Sequence, residues 1–212
     1  TLEGPLSQVR GLRVLMAGKN RINRITNLTQ LKKLDVLDLH SNEIKTIEGL
    51  EGLSDLRVLN LAGNKISMVE NLQSLSSLTE LNLRRNQITH IYGLHTLPAL
   101  QRIFLSHNFI QAYMDIQCIF NIQSLIELSL DNNPLVENEG AGYRYTVLAY
   151  LPSLKHLDLK KVSDEERGVV GGMTVDTKAL LIRKDETGME SVHGRAGMDD
   201  RSVSPNTGRS AA

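Results

Sequence analysis

Cysteine is nearly missing: Cys118 is the only one in 212 residues. That excludes an internal disulfide, and the flanking cysteine clusters that cap extracellular repeat arrays are missing too. A reducing compartment, cytoplasm or nucleus, is the expectation. An excess of one charge is also missing, with 24 Lys plus Arg against 24 Asp plus Glu. Bulk electrostatics therefore give no reason to expect nucleic acid or an anionic membrane as the main partner, although a local patch can still bind either. No apolar run approaches the ~20 residues needed to span a bilayer. Aromatics make up only 4% of the chain, so one placed on an exposed face stands out.

What the chain does have is an internal repeat. The stretch Leu34 to Ile47, LDVLDLHSNEIKTI, contains Leu-x-x-Leu-x-Leu-x-x-Asn-x-Ile, which returns from Leu56 (LRVLNLAGNKI) and Leu78 (LTELNLRRNQI), a period of 22 residues. Weaker copies begin at Leu12, Leu100 and Leu125, and a shortened one at Leu154 (LKHLDL) stops before its Asn. Alternate residues of a short strand face opposite sides, so Leu37/Leu39, Leu59/Leu61 and Leu81/Leu83 point inward. Stacked as a parallel sheet, they form one continuous core that no single repeat makes alone. The expected fold is an α/β solenoid with a parallel concave sheet. Ile25, Ile47, Val69 and Ile91, with Leu28, Leu50, Leu72 and Leu94, line return segments too short for much helix. These predict mostly 3₁₀ turns on the convex side.

Both ends depart from the regular unit. Leu6 and Val9 precede Leu12 at the intervals by which Leu50 and Leu53 precede Leu56, so the N-terminus reads as the back of another repeat, truncated within a longer array. After Ile110 the spacing grows, and QAYMDIQCIFNIQS and VENEGAGYRYTVLAYLPS are long enough for α-helical turns. The second, with Tyr145, Leu148 and Leu151 at three-residue intervals, and the shortened Leu154 strand should cap the core at its C-terminal end. Residues 1–162 are thus expected to form the repeat domain with its cap, and 163–212 a tail, disordered or bound to a partner. Within it, SDEER can make one helical turn with Ser163 as N-cap and Glu166 at the capping-box position. Thr177 to Lys184 is a short apolar run, and RSVSPNTGRSAA is low in complexity.

Candidate sites divide between scaffold and surface. Asn20, Asn42, Asn64, Asn86, Asn108 and Asn133 form a ladder at the strand ends, whose side chains are suited to pair backbone groups of the turns. The pairs Asp38/His40 and His156/Asp158 have ligand chemistry, but lie five repeats apart, roughly 24 Å at ~4.8 Å per strand. Neither has further ligands in adjacent repeats, so no metal site is expected. Cys118 has no readable base beside it, and no glycine-rich phosphate loop is present. No catalytic residue and no cofactor are therefore expected.

The outward positions of the strands run Val14, Val36, Val58, Glu80, Arg102, Glu127, His156 and, two residues on, Met16, Asp38, Asn60, Asn82, Phe104, Ser129, Asp158. An apolar N-terminal half meets a charged C-terminal half. Phe104, read as exposed among Arg84, Arg85, Arg102 and His107, is the anchor expected for a partner. The partner-binding face is accordingly Val14, Met16, Val36, Asp38, Val58, Arg84, Arg102, Phe104 and His107.

The 22-residue unit and its NP…YR…VL..LPSLKHLD ending resemble leucine-rich repeats of the protein phosphatase-1 regulator type. More closely, LRVLMAGKNRI, LDVLDLHSNEI, LRVLNLAGNKIS, SLTELNLRRNQIT, FLSHNFI, YTVL and LDLKKVSDEER resemble the leucine-rich-repeat subunit of the tubulin polyglutamylase complex. That likeness covers roughly residues 12–167, non-scaffold letters such as Asp35, His40, Thr79 and Arg84 included. The resemblance implies a non-catalytic protein-binding scaffold, a subunit of a multi-subunit tubulin ligase complex, in the cytoplasm at microtubules, centrioles or cilia. An axonemal or ciliary structural component and a protein phosphatase 1 regulator are the alternatives.

Overall fold

The computed structural model describes residues 9–172. In chain order the strands are β1 (Val14–Met16), β2 (Val36–Asp38), β3 (Val58–Asn60), β4 (Met68–Val69), β5 (Glu80–Asn82), β6 (His90–Ile91), β7 (Arg102–Phe104), β8 (Glu127–Ser129), β9 (His156–Leu157) and β10 (Lys160–Lys161). Eight form one sheet in the order β1-β2-β3-β5-β7-β8-β9-β10, while β4 and β6 pair separately on the return side. Every pairing is parallel except the last, β9 with β10.

Register follows the leucines. Leu37, Leu59, Leu81, Ile103, Leu128 and Leu157 stand side by side across the sheet, and all are fully buried. A fully buried Leu contributes roughly 1.5–3 kcal/mol, so this stack is a main source of the solenoid's cohesion. Behind it, apolar residues recur every third position, as in Ile47, Leu50, Leu53, Leu56. Their backbones make i→i+3 bonds, such as Leu53 N–H to Leu50 C=O at 3.2 Å and Leu56 N–H to Leu53 C=O at 3.1 Å. The convex side is thus built of 3₁₀-type turns. Val9 takes part in the same bond pattern, accepting from Leu12 N–H at 2.9 Å.

Two left-handed backbone positions recur with the repeat. The residue before each ladder Asn has positive φ: Lys19, Ser41, Gly63, Arg85, His107 and Asn132, all between 52° and 68°. So does the residue two past the return-side Ile or Val: Asn27, Gly49, Asn71 and Gly93. At the second position the residue type is explained locally. A Cβ on Gly49 would stand 2.4 Å from the Ile25 carbonyl oxygen, whereas Asn71 donates from its amide to Ile47 C=O at 2.9 Å.

The longer C-terminal returns resolve differently. Tyr113–Asn121 is a nine-residue 3₁₀ helix rather than α-helical turns. Tyr113, Ile116, Ile119 and Ile122 are buried at three-residue spacing, which a three-residue turn aligns on one side and an α-helix would rotate away. The next return does hold α-helices, α1 (Pro134–Glu139) and α2 (Tyr143–Tyr150). Leu159, placed inward by the leucine pattern, is 67% exposed. The chain reverses there, with positive φ at Asp158 and Leu159, to form β10.

Residues 163–172 leave the expected tail and join the cap. After Ser163 the chain forms α3 (Asp164–Gly172), with Glu166 N–H bonded to Ser163 Oγ at 3.1 Å and Ser163 N–H to the Glu166 carboxylate at 2.8 Å. Arg144 on α2 pairs with Glu166 at 2.7 Å, and the Arg167 guanidinium donates to the Pro152 and Leu154 carbonyls. Val170 is buried. The runs 177–184 and 201–212, and Leu6, lie outside the described residues.

Candidate functional site

The Asn ladder is the frame on which the concave face rests. Asn64 shows the unit: its Oδ1 accepts from Ile44 N–H of the preceding repeat at 3.0 Å, and its Nδ2 donates to Leu39 C=O and Leu61 C=O. Asn42, Asn86, Asn108 and Asn133 accept in the same way from Ile22, Ile66, Ile88 and Ile110. Each amide thus pairs backbone groups of two successive repeats, which buried polar groups require. Asn20 differs: it is exposed and its amide donates locally, to Ala17 C=O and Gly18 C=O.

On the face itself, Val14, Val36 and Val58 are in direct register. Val14 is 49% and Met16 67% exposed, while Val36 and Val58 are half-buried. Asp38 is partly committed to the scaffold, since its Oδ1 accepts from the His40 N–H at 2.9 Å and sits 2.7 Å from His40 Nδ1. Burial pushes the Asp38 carboxyl up, but bonds from the His40 backbone and ring, with Asn60, hold it below the usual carboxylate range. Asn60 and Asn82 use their Oδ1 likewise, accepting from Ala62 N–H and Arg84 N–H. The His40 ring lies across Gly18, where a Cβ would stand 2.2 Å from it.

Phe104 is not an exposed anchor. It is only 8% exposed, because the Arg84 guanidinium from the adjacent repeat lies over its ring, 4.1 Å from the centroid. The pair presents a cation whose underside is covered by a ring, a cation–π contact. Arg102 is engaged with its register neighbour Glu80 at 2.9 Å. His107 is exposed in the left-handed turn and is held through its N–H to Asp131 C=O. Next to Phe104, Ser129 is fully buried, bonded to Ser106 Oγ at 2.9 Å, and Ser106 also donates to Asp131.

The two Asp/His pairs do not match. Asp158 turns from the face to close the sheet's end, its Oδ1 accepting from Leu130 N–H at 2.8 Å and Asp131 N–H at 3.1 Å. Burial and the nearby Asp131 push its carboxyl up against the pull of those bonds. His156 remains exposed in β9. Cys118 donates to Ile91 C=O at 3.3 Å, and burial pushes its thiol up, which favours the unreactive protonated form. Among the described residues, no three His, Cys, Asp or Glu gather as a metal-ligand set.

One charged centre was not among the expected sites. Asp35, only 8% exposed, receives both Nε and an Nη of Arg57 at 2.6 and 2.7 Å, and an Arg13 Nη lies 3.5 Å away. The Arg57 guanidinium holds its carboxyl below the usual range. The signal was legible: Arg13, Asp35 and Arg57 each follow the first Leu of a repeat, 22 residues apart, with alternating sign.

Comparison with known proteins agrees with this geometry. Residues 59–179, more than half of the chain, match the leucine-rich repeat family model, and residues 10–52 and 32–77 match a model of leucine-rich repeats in two copies. Human leucine-rich repeat-containing protein 49 is 43% identical over 57 residues, 27% of this chain and 8% of that protein. The chain therefore matches only a small part of that relative's length. Among solved structures, a chain of the Drosophila melanogaster SNF/U2A′ complex superposes with a TM-score of 0.61 at 27% identity, covering 69% of this chain and 86% of that one. A leucine-rich-repeat protein of Leptospira interrogans gives 0.51 at 26%, covering 73% and 44%. An internalin of Listeria monocytogenes, at 24% identity with a TM-score of 0.53 over 74% and 51%, shares the fold.

Proposed function

The chain belongs to the leucine-rich-repeat family, and from that premise we propose that it is a non-catalytic subunit of a tubulin-modifying, polyglutamylase-type complex. Protein binding is the general role of such repeats. The observation that carries the reading is the face itself: one row of outward side chains, Val14, Val36, Val58, Glu80, Arg102, Glu127 and His156, held in register by an eight-stranded sheet. A rigid face with an apolar half and a charged half is suited to recognising a partner rather than turning over a substrate. The finer assignment is supported by the non-scaffold letters shared with the polyglutamylase subunit, and the identity to leucine-rich repeat-containing protein 49 is compatible with it. The setting we propose is the cytoplasm, at microtubules, centrioles or cilia, with other proteins as partners.

Affinity capture of the tagged chain from ciliated cells, followed by mass spectrometry, tests this. Recovery of a tubulin ligase-like enzyme together with tubulin is expected. A stable stoichiometric complex without either would overturn the assignment. The double variant Val36→Glu/Val58→Glu should lose those partners while its thermal melt by circular dichroism is retained.

A further inference from the structure

Although the chain is neutral as a whole, residues 9–34 carry seven Lys and Arg and no Asp or Glu. All seven are exposed. Arg24 is paired with Glu48 at 2.7 Å, and Arg13 approaches Asp35 only at 3.5 Å. Lys32 and Lys33 have no carboxylate within ion-pairing distance among the described residues. The fold brings part of this charge together. Where the first three strands begin, Arg13, Lys33 and Arg57 line one open groove with Asp35, Asp55 and Ser77. Asp35 holds the Arg57 fork by two bonds, which leaves the remaining guanidinium N–H groups in a fixed orientation. The Arg13 side chain is 74% exposed.

We propose that this groove is a second docking site, separate from the concave face, and that it takes an acidic peptide, a glutamate-rich segment of a partner. Charge complementarity argues for an anion, whose carboxylate or phosphate oxygens the Arg forks match bidentately, and two features argue for carboxylates over a nucleic-acid backbone. Asp35 and Asp55 interrupt the positive lining, which suits spaced carboxylates better than a continuous phosphate chain with one charge per roughly 3.4 Å of strand. No Phe, Tyr or Trp precedes Tyr92, and the groove lining itself holds no ring on which bases can stack. The proposal needs only this charge and geometry and is independent of the tubulin-complex reading.

The full chain is titrated against a fluorescein-labelled glutamate decamer and, separately, a labelled dT oligonucleotide, by fluorescence anisotropy. Wild type should bind the glutamate peptide, more weakly as salt rises, and prefer it to the oligonucleotide. Arg13→Glu/Lys33→Glu should weaken peptide binding at least about tenfold, and the milder Arg13→Gln/Lys33→Gln should weaken it less, both with an unchanged melt. Lys160→Glu/Lys161→Glu, at the far end of the sheet, should bind as wild type. No peptide binding by wild type, equal losses in the near and far reversals, or tighter binding of the oligonucleotide would each overturn the proposal. Because no captured complex enters this assay, its failure leaves the tubulin-complex reading standing, and failure of the capture experiment leaves this one standing.

Discussion

The regular repeats and the C-terminal cap solve the same problem by opposite means. From β1 to β7 each strand of the eight-stranded sheet lies 22 residues from the next in that sheet, and each buried ladder Asn pairs backbone groups of its neighbour. Stability there is shared, and identical bonds recur down the stack. Among the described residues the cap has no repeat beyond it to use. Val162 stands at the position the ladder Asn would take and is buried. The N–H groups of Leu130 and Asp131 are met by Asp158, and α3 is tied to α2 by Arg144 and Glu166. A solenoid propagates by near-neighbour bonds and ends by unique ones.

The sharpest way to break the regular half is Leu59→Asp. Leu59 is 0% exposed between Leu37 and Leu81, and an unpaired carboxylate there should cost more than about 4 kcal/mol. Urea titration followed by circular dichroism should show loss of the cooperative transition, because the repeats on either side are uncoupled. Asn64→Ala is the next largest. It leaves Ile44 N–H without its partner and takes one of two amide donors from Leu39 C=O and from Leu61 C=O, which keep those of Asn42 and Asn86, for a loss of about 1–3 kcal/mol. Asn20→Ala, at the exposed first rung, should cost under about 1 kcal/mol in the same titration. Equal losses would mean that the ladder is not what couples the repeats.

How far the residues alone disclosed this molecule depends on the range of the interaction. The strands, the inward leucines, the Asn ladder and the 3₁₀-type returns are periodic and local, so alternation and spacing specify them. Even the nine-residue 3₁₀ helix is written in Tyr113, Ile116, Ile119 and Ile122, although chain length alone suggested an α-helix. The misplaced residues depend on pairs distant in sequence. Phe104 faces outward as alternation requires, yet is covered because Arg84, twenty positions earlier, reaches over it. Leu159 obeys the leucine pattern but not the fold, since the chain reverses there and the strand that follows is antiparallel. The helical start of the expected tail is held by Arg144 to Glu166, 22 positions apart. Left-handed backbone was legible at Gly49 and Gly63 but not at Ser41, Arg85 or His107, where the repeat's turn overrides residue preference.

The cap's ion pair gives a pH test that the ladder does not share. Arg144, with the Ser163 N–H, pulls the Glu166 carboxyl from the ordinary 4.5 down to about 2. A depressed carboxyl stabilises the fold above its unfolded pKa and loses that contribution as pH falls through the folded value. Stability from Glu166 is therefore complete above about pH 4.5 and lost toward about pH 2. Solvent reaches the pair, so its size should be about 1 kcal/mol rather than the full displacement. Glu166→Gln should remove it at pH 7, and the variant's chemical denaturation curve should converge on that of wild type in acid. A constant gap down to pH 2 would place the anchor of α3 elsewhere.

The smallest expected effect separates cap from ladder most cleanly. Asp158 performs an amide's task with a charged group, and burial together with Asp131 pushes its carboxyl up. A carboxyl whose pKa is raised on folding costs stability while ionised and recovers it as pH falls through the raised value. Asp158→Asn keeps an Oδ1 to accept from Leu130 and Asp131 and removes the buried charge. It should raise stability by roughly 0.5–1 kcal/mol at pH 7, and the gain should shrink on acidification, opposite in sign to the Glu166→Gln series. If Asp158→Asn instead destabilises at every pH, the carboxylate is needed for its charge, and the sheet ends through electrostatic attraction to those two N–H groups rather than through a ladder bond of another residue type.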